Sequence, residues 1–208
     1  LSQANWPAWV ALLRASDNAP VLDRQAGLAP ALLAFARTLG LSADGLADIP
    51  PAQRAALVVE WSRALYWRLL VPTLGMLVRR GVGLALPAAQ LPLYLDADHR
   101  VAGWSWPDEV PVQDLDGASD VEFTTWLLDW LAVTWRPLID ELVALGQADA
   151  RVLWQVFAGY WQWWLEQAVL HGADAQETVV HRRQQLALAI VRERDWPALV
   201  AAIQPGAR

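Results

Sequence analysis

Residues 152–166 read VLWQVFAGYWQWWLE, which places six aromatic rings within eleven positions. At about 100° per residue of an α-helix, four of these rings fall within an arc of roughly 80°. The four are Trp154, Phe157, Trp161 and Trp164. Polar residues share a separate narrow arc: Arg151, Gln155, Gln162 and Glu166. The pattern predicts a helix packed along one face, with the four rings in the core of a helical domain.

The other two rings, Tyr160 and Trp163, lie outside this seam. Trp163 is about 100° or more from the seam rings, and Tyr160 flanks the seam on the same side as Trp163. Gly159, one turn before Trp163, leaves room beside that ring. A helix packed on one face does not need these two rings. Additional core and a ligand-binding wall therefore remain open as interpretations.

The remaining sequence predicts further helices. Pro50 and Pro51 are placed at the start of the helix expected at 52–80, and the capping-box pattern Ser119-Asp-Val-Glu122 at the start of the one expected at 120–145. Pro72 and Pro137 predict a kink or break inside these two helices. Helices are expected at about 5–15, 28–39, 52–80, 120–145, 149–171 and 174–194, with a last short turn over 195–203.

The middle of the chain has a different pattern. Leu91–Leu95 (LPLYL), a polar turn and Val101–Trp106 (VAGWSW) predict a β-hairpin, followed by a loop to about Ala118. The fold class is therefore mainly α, a helical bundle with a small inserted β-hairpin at about residues 91–106. We expect a single domain over 1–208, in which 1–48 is an N-terminal helical extension and 49–203 is the core. No internal repeat is visible.

Composition excludes several classes of protein. Apolar residues make up 55% of the chain and charged residues 18%, enough apolar material for a sizeable core. The net charge is −6 and all sixteen cations are arginine, so no basic stripe for nucleic acid is expected. The longest uncharged, mainly apolar run among the predicted helices, Leu69–Val78, is ten residues long, too short for a transmembrane segment. Residues 1–16 lack the pattern of a secretory signal peptide.

A second aromatic cluster lies in Glu60–Arg68, EWSRALYWR. Arg63 and Trp67 are i,i+4 neighbours, so the guanidinium can lie over the indole. Ser62 and Tyr66 share another face and offer two hydroxyl groups one turn apart. A plain surface helix, with arginine stems covering aromatic rings, explains the same pattern.

Metal and acid–base motifs are sparse. The three histidines stand far apart and match neither HExxH nor HxH spacing. Asp174, Glu177 and His181 share one helix face, which a solvated surface with a local salt link explains better than a metal site. GxSxG, P-loop and GxGxxG motifs are absent, and so is cysteine. No metal site is predicted, and the catalytic residues, if any, are unknown.

Two stretches of the sequence, Leu57–Leu74 (LVVEWSRALYWRLLVPTL) and Trp135–Trp154, together carry a family resemblance. The first is similar to the L-x-x-W-(S/A)-x-x-Y-x-x-x-L-x-P-P-L segment of the FhuF-like ferric-siderophore reductase family. Trp135–Asp140, WRPLID, followed by Arg151–Trp154, RVLW, is similar to its P-L-(I/V)-x-x-L … L-W-(G/S)-N region. The predicted hairpin also falls where the family has one. The resemblance covers roughly residues 50–197.

This resemblance implies a cytoplasmic protein of bacterial iron acquisition that binds a ferric siderophore, often a hydroxamate, and reduces Fe(III) to release it. Family reductases carry a [2Fe–2S] cluster on four cysteines near the C-terminus. Here Gln155-Val156 stands where the family has Gly/Ser-Asn, and the chain has no cysteine. No cofactor is therefore expected within these residues, and a [2Fe–2S] cluster only if a cysteine-bearing segment follows Arg208.

We therefore expect a protein of siderophore-linked iron acquisition that binds a ferric siderophore or its precursor. The candidate ligand-binding residues are Trp61, Ser62, Tyr66, Arg68, Tyr160 and Trp163. Two alternatives remain open. One is an enzyme, either the reductase completed by a missing cysteine segment or a module of siderophore biosynthesis. The other is a scaffold whose exposed rings bind a protein partner in a siderophore pathway.

Overall fold

The computed structural model of the chain describes residues 21–23, 26–84, 87–91, 93–104, 112–169 and 177–192. Within these ranges the protein is mainly α-helical with short strands, as the sequence predicted. The elements are α1 (Ala29–Thr38), α2 (Pro51–Leu65), α3 (Val71–Arg80), β1 (Val82–Leu84), β2 (Leu93–Leu95), β3 (Val101–Trp104), β4 (Val112–Asp114), α4 (Asp120–Trp130), α5 (Arg136–Gly146), α6 (Ala150–Val169) and α7 (Glu177–Arg192). The helix expected at about 5–15 and the turn at 195–203 lie outside the described residues.

Two π-helical turns join successive helices. Tyr66–Leu70 connects α2 to α3, and Leu131–Trp135 connects α4 to α5. Each turn comes just before a helix whose second residue is proline, Pro72 or Pro137. Proline lacks an N–H and its ring clashes with the carbonyl four residues earlier, so the backbone cannot keep regular α-helical bonding there. A wider π turn stands at both places where the sequence predicted a kink or break.

The two helix–π–helix units resemble each other in sequence as well as in form. Trp61 and Trp126 both lie eleven residues before the proline of their unit, and Gly81 and Gly146 both lie nine residues after it. The correspondence is difficult to recognise in the sequence, because most of the other residues in both units are apolar and do not match. The structure thus contains a repeated α–π–α arrangement that sequence analysis missed.

The predicted hairpin is present between these units. β2 pairs antiparallel with β3, with Leu93 opposite Trp104 and Tyr94 opposite Gly103. A second antiparallel pair, β1 with β4, places Val82 opposite Asp114. The sequence predicted only a loop where β4 lies, because three exposed residues give no alternating pattern. β1 and β4 therefore form a stem at the base of the inserted segment.

Helix α6 occupies the centre of the helical packing and contacts α2, α3, α5 and α7. Its predicted seam is confirmed: Trp154, Phe157 and Trp161 are buried, and Trp164 is half-buried against the same core. The polar arc of this helix is exposed, as expected. No helix among the described residues is both long and apolar enough to span a membrane.

Candidate functional site

Two consecutive aromatic residues of the first π turn, Tyr66 and Trp67, differ in burial. Tyr66 is fully buried, whereas the next residue, Trp67, exposes 39% of its surface. Helix α6 packs against this turn. Because π turns are rare and often occur at functional sites, the surface formed by Trp67 and the facing side of α6 is a candidate site.

An open cleft of about 450 Å³ lies between the π turn and α6. Its described lining consists of Trp67, Gly159, Tyr160 and Trp163, and we call it the aromatic cleft. The ring centroids of Trp67 and Trp163 are 5.4 Å apart, and those of Trp67 and Tyr160 are 6.5 Å apart. Trp163 exposes 46% of its surface. Three aromatic rings from two elements therefore meet at one solvent-accessible place.

Gly159 keeps the floor of the aromatic cleft open. A Cβ atom at this position would meet no atom within 4 Å. Glycine inside a helix costs about 1 kcal/mol relative to alanine. Neither a close approach nor a left-handed backbone accounts for this glycine, so the free volume beside Tyr160 and Trp163 is its clearest structural consequence.

Tyr66 supports the cleft from behind. Its ring lies 6.2 Å from that of Tyr160 and 5.4 Å from that of Phe157, measured between centroids. Its hydroxyl donates a hydrogen bond to the Leu153 carbonyl oxygen at 3.3 Å. Burial raises the pKa of Tyr66 well above its usual value, and the Ser62 hydroxyl opposes this shift only in part. Tyr66 is thus a neutral packing residue with no path to the solvent.

Five of the six residues predicted to line a ligand site divide into two groups. Tyr160 and Trp163 lie in the aromatic cleft. Trp61, Ser62 and Tyr66 are fully buried and do not line it. Trp61 donates its indole N–H to the His99 carbonyl oxygen at 3.0 Å, and Ser62 donates to the Val59 carbonyl oxygen at 2.7 Å. These three residues serve the core, because the inserted hairpin and α6 cover the helix face on which they lie.

Arg68 is half-buried and is not among the lining residues of the cleft. The lining includes the neighbouring residue Trp67 instead. The sequence predicted that Trp67 could stack with Arg63. Arg63 instead forms an ion pair with Glu60 at 2.9 Å, and Trp67 packs on aromatic rings of α6. Its neighbours on α6 are about ninety positions away in the sequence, so no local pattern could have identified them.

Among the described residues, no cluster of histidine, aspartate and glutamate side chains could hold a metal ion. His99 lies in the turn of the hairpin with a positive φ of 60°. Asp174 and His171 lie outside the described residues, so the face shared by Asp174, Glu177 and His181 is not described as a whole.

The aromatic cleft offers ring faces, one phenol and two indole N–H groups, which suit a bulky organic ligand.

Comparisons of the chain with protein-family models, with curated proteins and with solved structures gave no match.

Proposed function

We propose that this protein binds a ferric siderophore of the hydroxamate class, or its precursor, in the aromatic cleft, as part of siderophore-linked iron acquisition. Two observations support the proposal. The motifs in Leu57–Leu74 and Trp135–Trp154 resemble those of the FhuF-like family. The first of these segments carries Trp67, and the second ends on α6, five residues before Gly159. The proposed site and the resemblance thus involve the same two elements.

The observation that carries the proposal is the meeting of three rings beside a helical glycine. Ligand sites in proteins have volumes of about 300–1,000 Å³, and the aromatic cleft has about 450 Å³. Ring faces contact a ligand by stacking and shape rather than by charge. The rings would therefore contact the organic part of the chelate. The iron is cargo that the siderophore itself coordinates.

Reduction of the iron is a separate question. A [2Fe–2S] cluster of the FhuF-like family needs cysteine ligands, and these 208 residues contain none. The residues present therefore do not fit that cluster, and we derive no electron-transfer step for this chain. The alternative of an active reductase requires a cysteine-bearing segment supplied from elsewhere.

Isothermal titration calorimetry with ferrioxamine B, a ferric trihydroxamate, tests the proposal. We expect saturable heat with the natural sequence and an affinity about tenfold lower for Trp163→Ala, since loss of one stacked ring costs about 1 kcal/mol beyond its buried area. Gly159→Leu fills the cleft floor and should abolish the heat, whereas Gly159→Ala should retain it.

Val152→Ala is the matched control, because Val152 is also an exposed apolar residue of α6 and does not line the cleft. Its affinity should equal that of the natural sequence. Absence of saturable heat, or equal affinities for Trp163→Ala and Val152→Ala, would overturn the proposal.

A further inference from the structure

A second cavity has a volume of about 400 Å³, and its described lining shares no residue with that of the aromatic cleft. It lies between α7, the start of α4 and the segment that joins β4 to α4. Two arginines, two aspartates and several apolar side chains line it. The lining residues that the argument uses are Asp116, Asp120, Phe123, Arg182, Arg183 and Leu186.

Arg183 is the unusual member of this set. Only 8% of its side chain is exposed, although arginine is almost never fully buried unless paired. Its Nη2 donates to the Leu115 carbonyl oxygen at 3.3 Å and to Asp116 Oδ1 at 2.7 Å. Within the described part of the chain, Nε and Nη1 have no hydrogen-bond partner. A nearly buried guanidinium thus has hydrogen-bond partners among the described residues at one nitrogen only, and Arg183 also lines the cavity.

The ion pair with Asp116 is one-sided. The side chain of Asp116 is 75% exposed, and it uses a single oxygen on a single nitrogen of Arg183. A guanidinium binds a carboxylate most strongly through two parallel N–H···O bonds. Asp116 therefore leaves the two-bond geometry of Arg183 unused. Because its carboxylate is already largely hydrated, the ion pair costs little to break.

The cavity also has a second cation and an apolar wall. Arg182 lines it while paired with Asp120 at 2.6 Å. Phe123 and Leu186 contribute apolar surface to the same cavity. Because both arginines already have aspartate partners, a polyanion would bring an excess of negative charge. A ligand with one carboxylate that replaces Asp116 keeps the charge balance of the site.

We propose that this cavity binds a small organic acid with a single carboxylate and an apolar body. The carboxylate displaces Asp116 and forms paired hydrogen bonds with Arg183, and the apolar body packs against Phe123 and Leu186. Arg182 stands at the rim and attracts the anion. The proposal is independent of the siderophore proposal, because the described linings of the two cavities share no residue.

Calorimetric titration with benzoate, at constant ionic strength in chloride buffer, tests this site. We expect weak saturable binding to the natural sequence and about tenfold tighter binding to Asp116→Asn. The reason is that a neutral amide competes less well than a carboxylate for Arg183, by about the difference between a neutral and a charge-assisted hydrogen bond. A purely structural ion pair would instead give no benzoate binding in either protein.

Asp149→Asn is the matched control, since Asp149 pairs with Arg151 at 2.7 Å, far from this cavity, and the change in charge is the same. Its benzoate affinity should equal that of the natural sequence. Leu186→Trp is a second variant that fills the apolar wall without removing Arg183, and it should abolish the heat. Absence of saturable heat in the natural sequence and Asp116→Asn, or equal benzoate affinity of these two proteins, would overturn the proposal.

Discussion

Three buried tryptophans illustrate how the same residue type serves the core in different ways. Trp61 and Trp161 each donate their indole N–H to a carbonyl oxygen, those of His99 and Ala187, at 3.0 and 3.2 Å. The indole nitrogen of Trp135 is buried and has no hydrogen-bond partner among the residues that the structure describes. Trp135 instead packs among rings, 4.9 Å from Phe157 and 6.0 Å from Trp130 between centroids. Its N–H group thus contributes no hydrogen bond to the described part of the core.

This difference predicts unequal costs for the same substitution. Trp161→Phe removes a side-chain hydrogen bond to the Ala187 carbonyl oxygen, whereas Trp135→Phe removes a donor that has no partner among the described residues. Both variants lose similar packing volume. We expect Trp161→Phe to lower the free energy of unfolding by about 1 kcal/mol more than Trp135→Phe. Urea denaturation of the two variants measures the difference, and equal losses would contradict the expectation.

At the scale of elements, the start of α4 is controlled by a reciprocal hydrogen-bond pair. The Ser119 hydroxyl accepts from the Glu122 N–H at 3.3 Å, and Glu122 Oε2 accepts from the Ser119 N–H at 2.8 Å. The sequence predicted this capping box from the Ser-x-x-Glu spacing, and the structure confirms it. Local patterns of this kind succeed because every participant lies within one turn of the chain.

The capping box also predicts a pH dependence. The side-chain and backbone hydrogen bonds from Ser119 lower the pKa of Glu122. A lowered folded-state pKa contributes stability above the unfolded-state pKa, and this contribution is lost as the pH falls through the folded-state value. Glu122→Gln keeps an acceptor that does not titrate.

The stability of Glu122→Gln should therefore decrease less between neutral pH and the acidic range below the usual carboxylate pKa than that of the natural sequence. Urea midpoints measured over this pH range compare the two. Parallel pH profiles would show that Glu122 contributes nothing to the acid sensitivity. Asp149→Asn is unsuited as a control, because hydrogen bonds from Arg151 lower the pKa of Asp149 as well.

At the scale of the whole molecule, Gly81 marks the point where three parts meet. It ends α3 with a positive φ of 62° and accepts a hydrogen bond from the Leu115 N–H at 2.6 Å, which closes the stem of the insertion. A Cβ atom at Gly81 would lie 2.7 Å from Arg183 Nη2 and 2.9 Å from the Asp116 backbone nitrogen. Only glycine fits this junction of α3, the insertion and α7.

Gly81→Ala should therefore lower the free energy of unfolding by more than the cost of a left-handed alanine, which is about 1 kcal/mol. Gly40→Ala is the matched control, because Gly40 has a φ of 79° just after α1 and a Cβ there would meet nothing within 4 Å. We expect Gly81→Ala to cost about 1–2 kcal/mol more than Gly40→Ala. Equal losses in thermal or urea unfolding would contradict a tight junction.

The sequence by itself determined the features that depend on neighbours within a few turns. These are the helical content, the β2–β3 hairpin, the capping box and the core seam of α6 with Tyr160 and Trp163 outside it. Each follows from the periodicity of apolar residues or from a short motif. The groups involved are close in sequence, so their contact does not depend on the rest of the chain. Gly159 was identified in the same way, as an opening beside Trp163.

Only the tertiary structure decided which rings outside a seam are covered. Helical periodicity identifies a face but not the neighbour that packs on it, so Trp61, Ser62 and Tyr66 were expected in a ligand site and instead are buried. A π turn also shifts the helical phase of the residues that follow it, which a regular α-helical wheel does not include. The aromatic cleft and the second cavity, which Arg183 lines, form because packing brings together residues that are distant in the sequence.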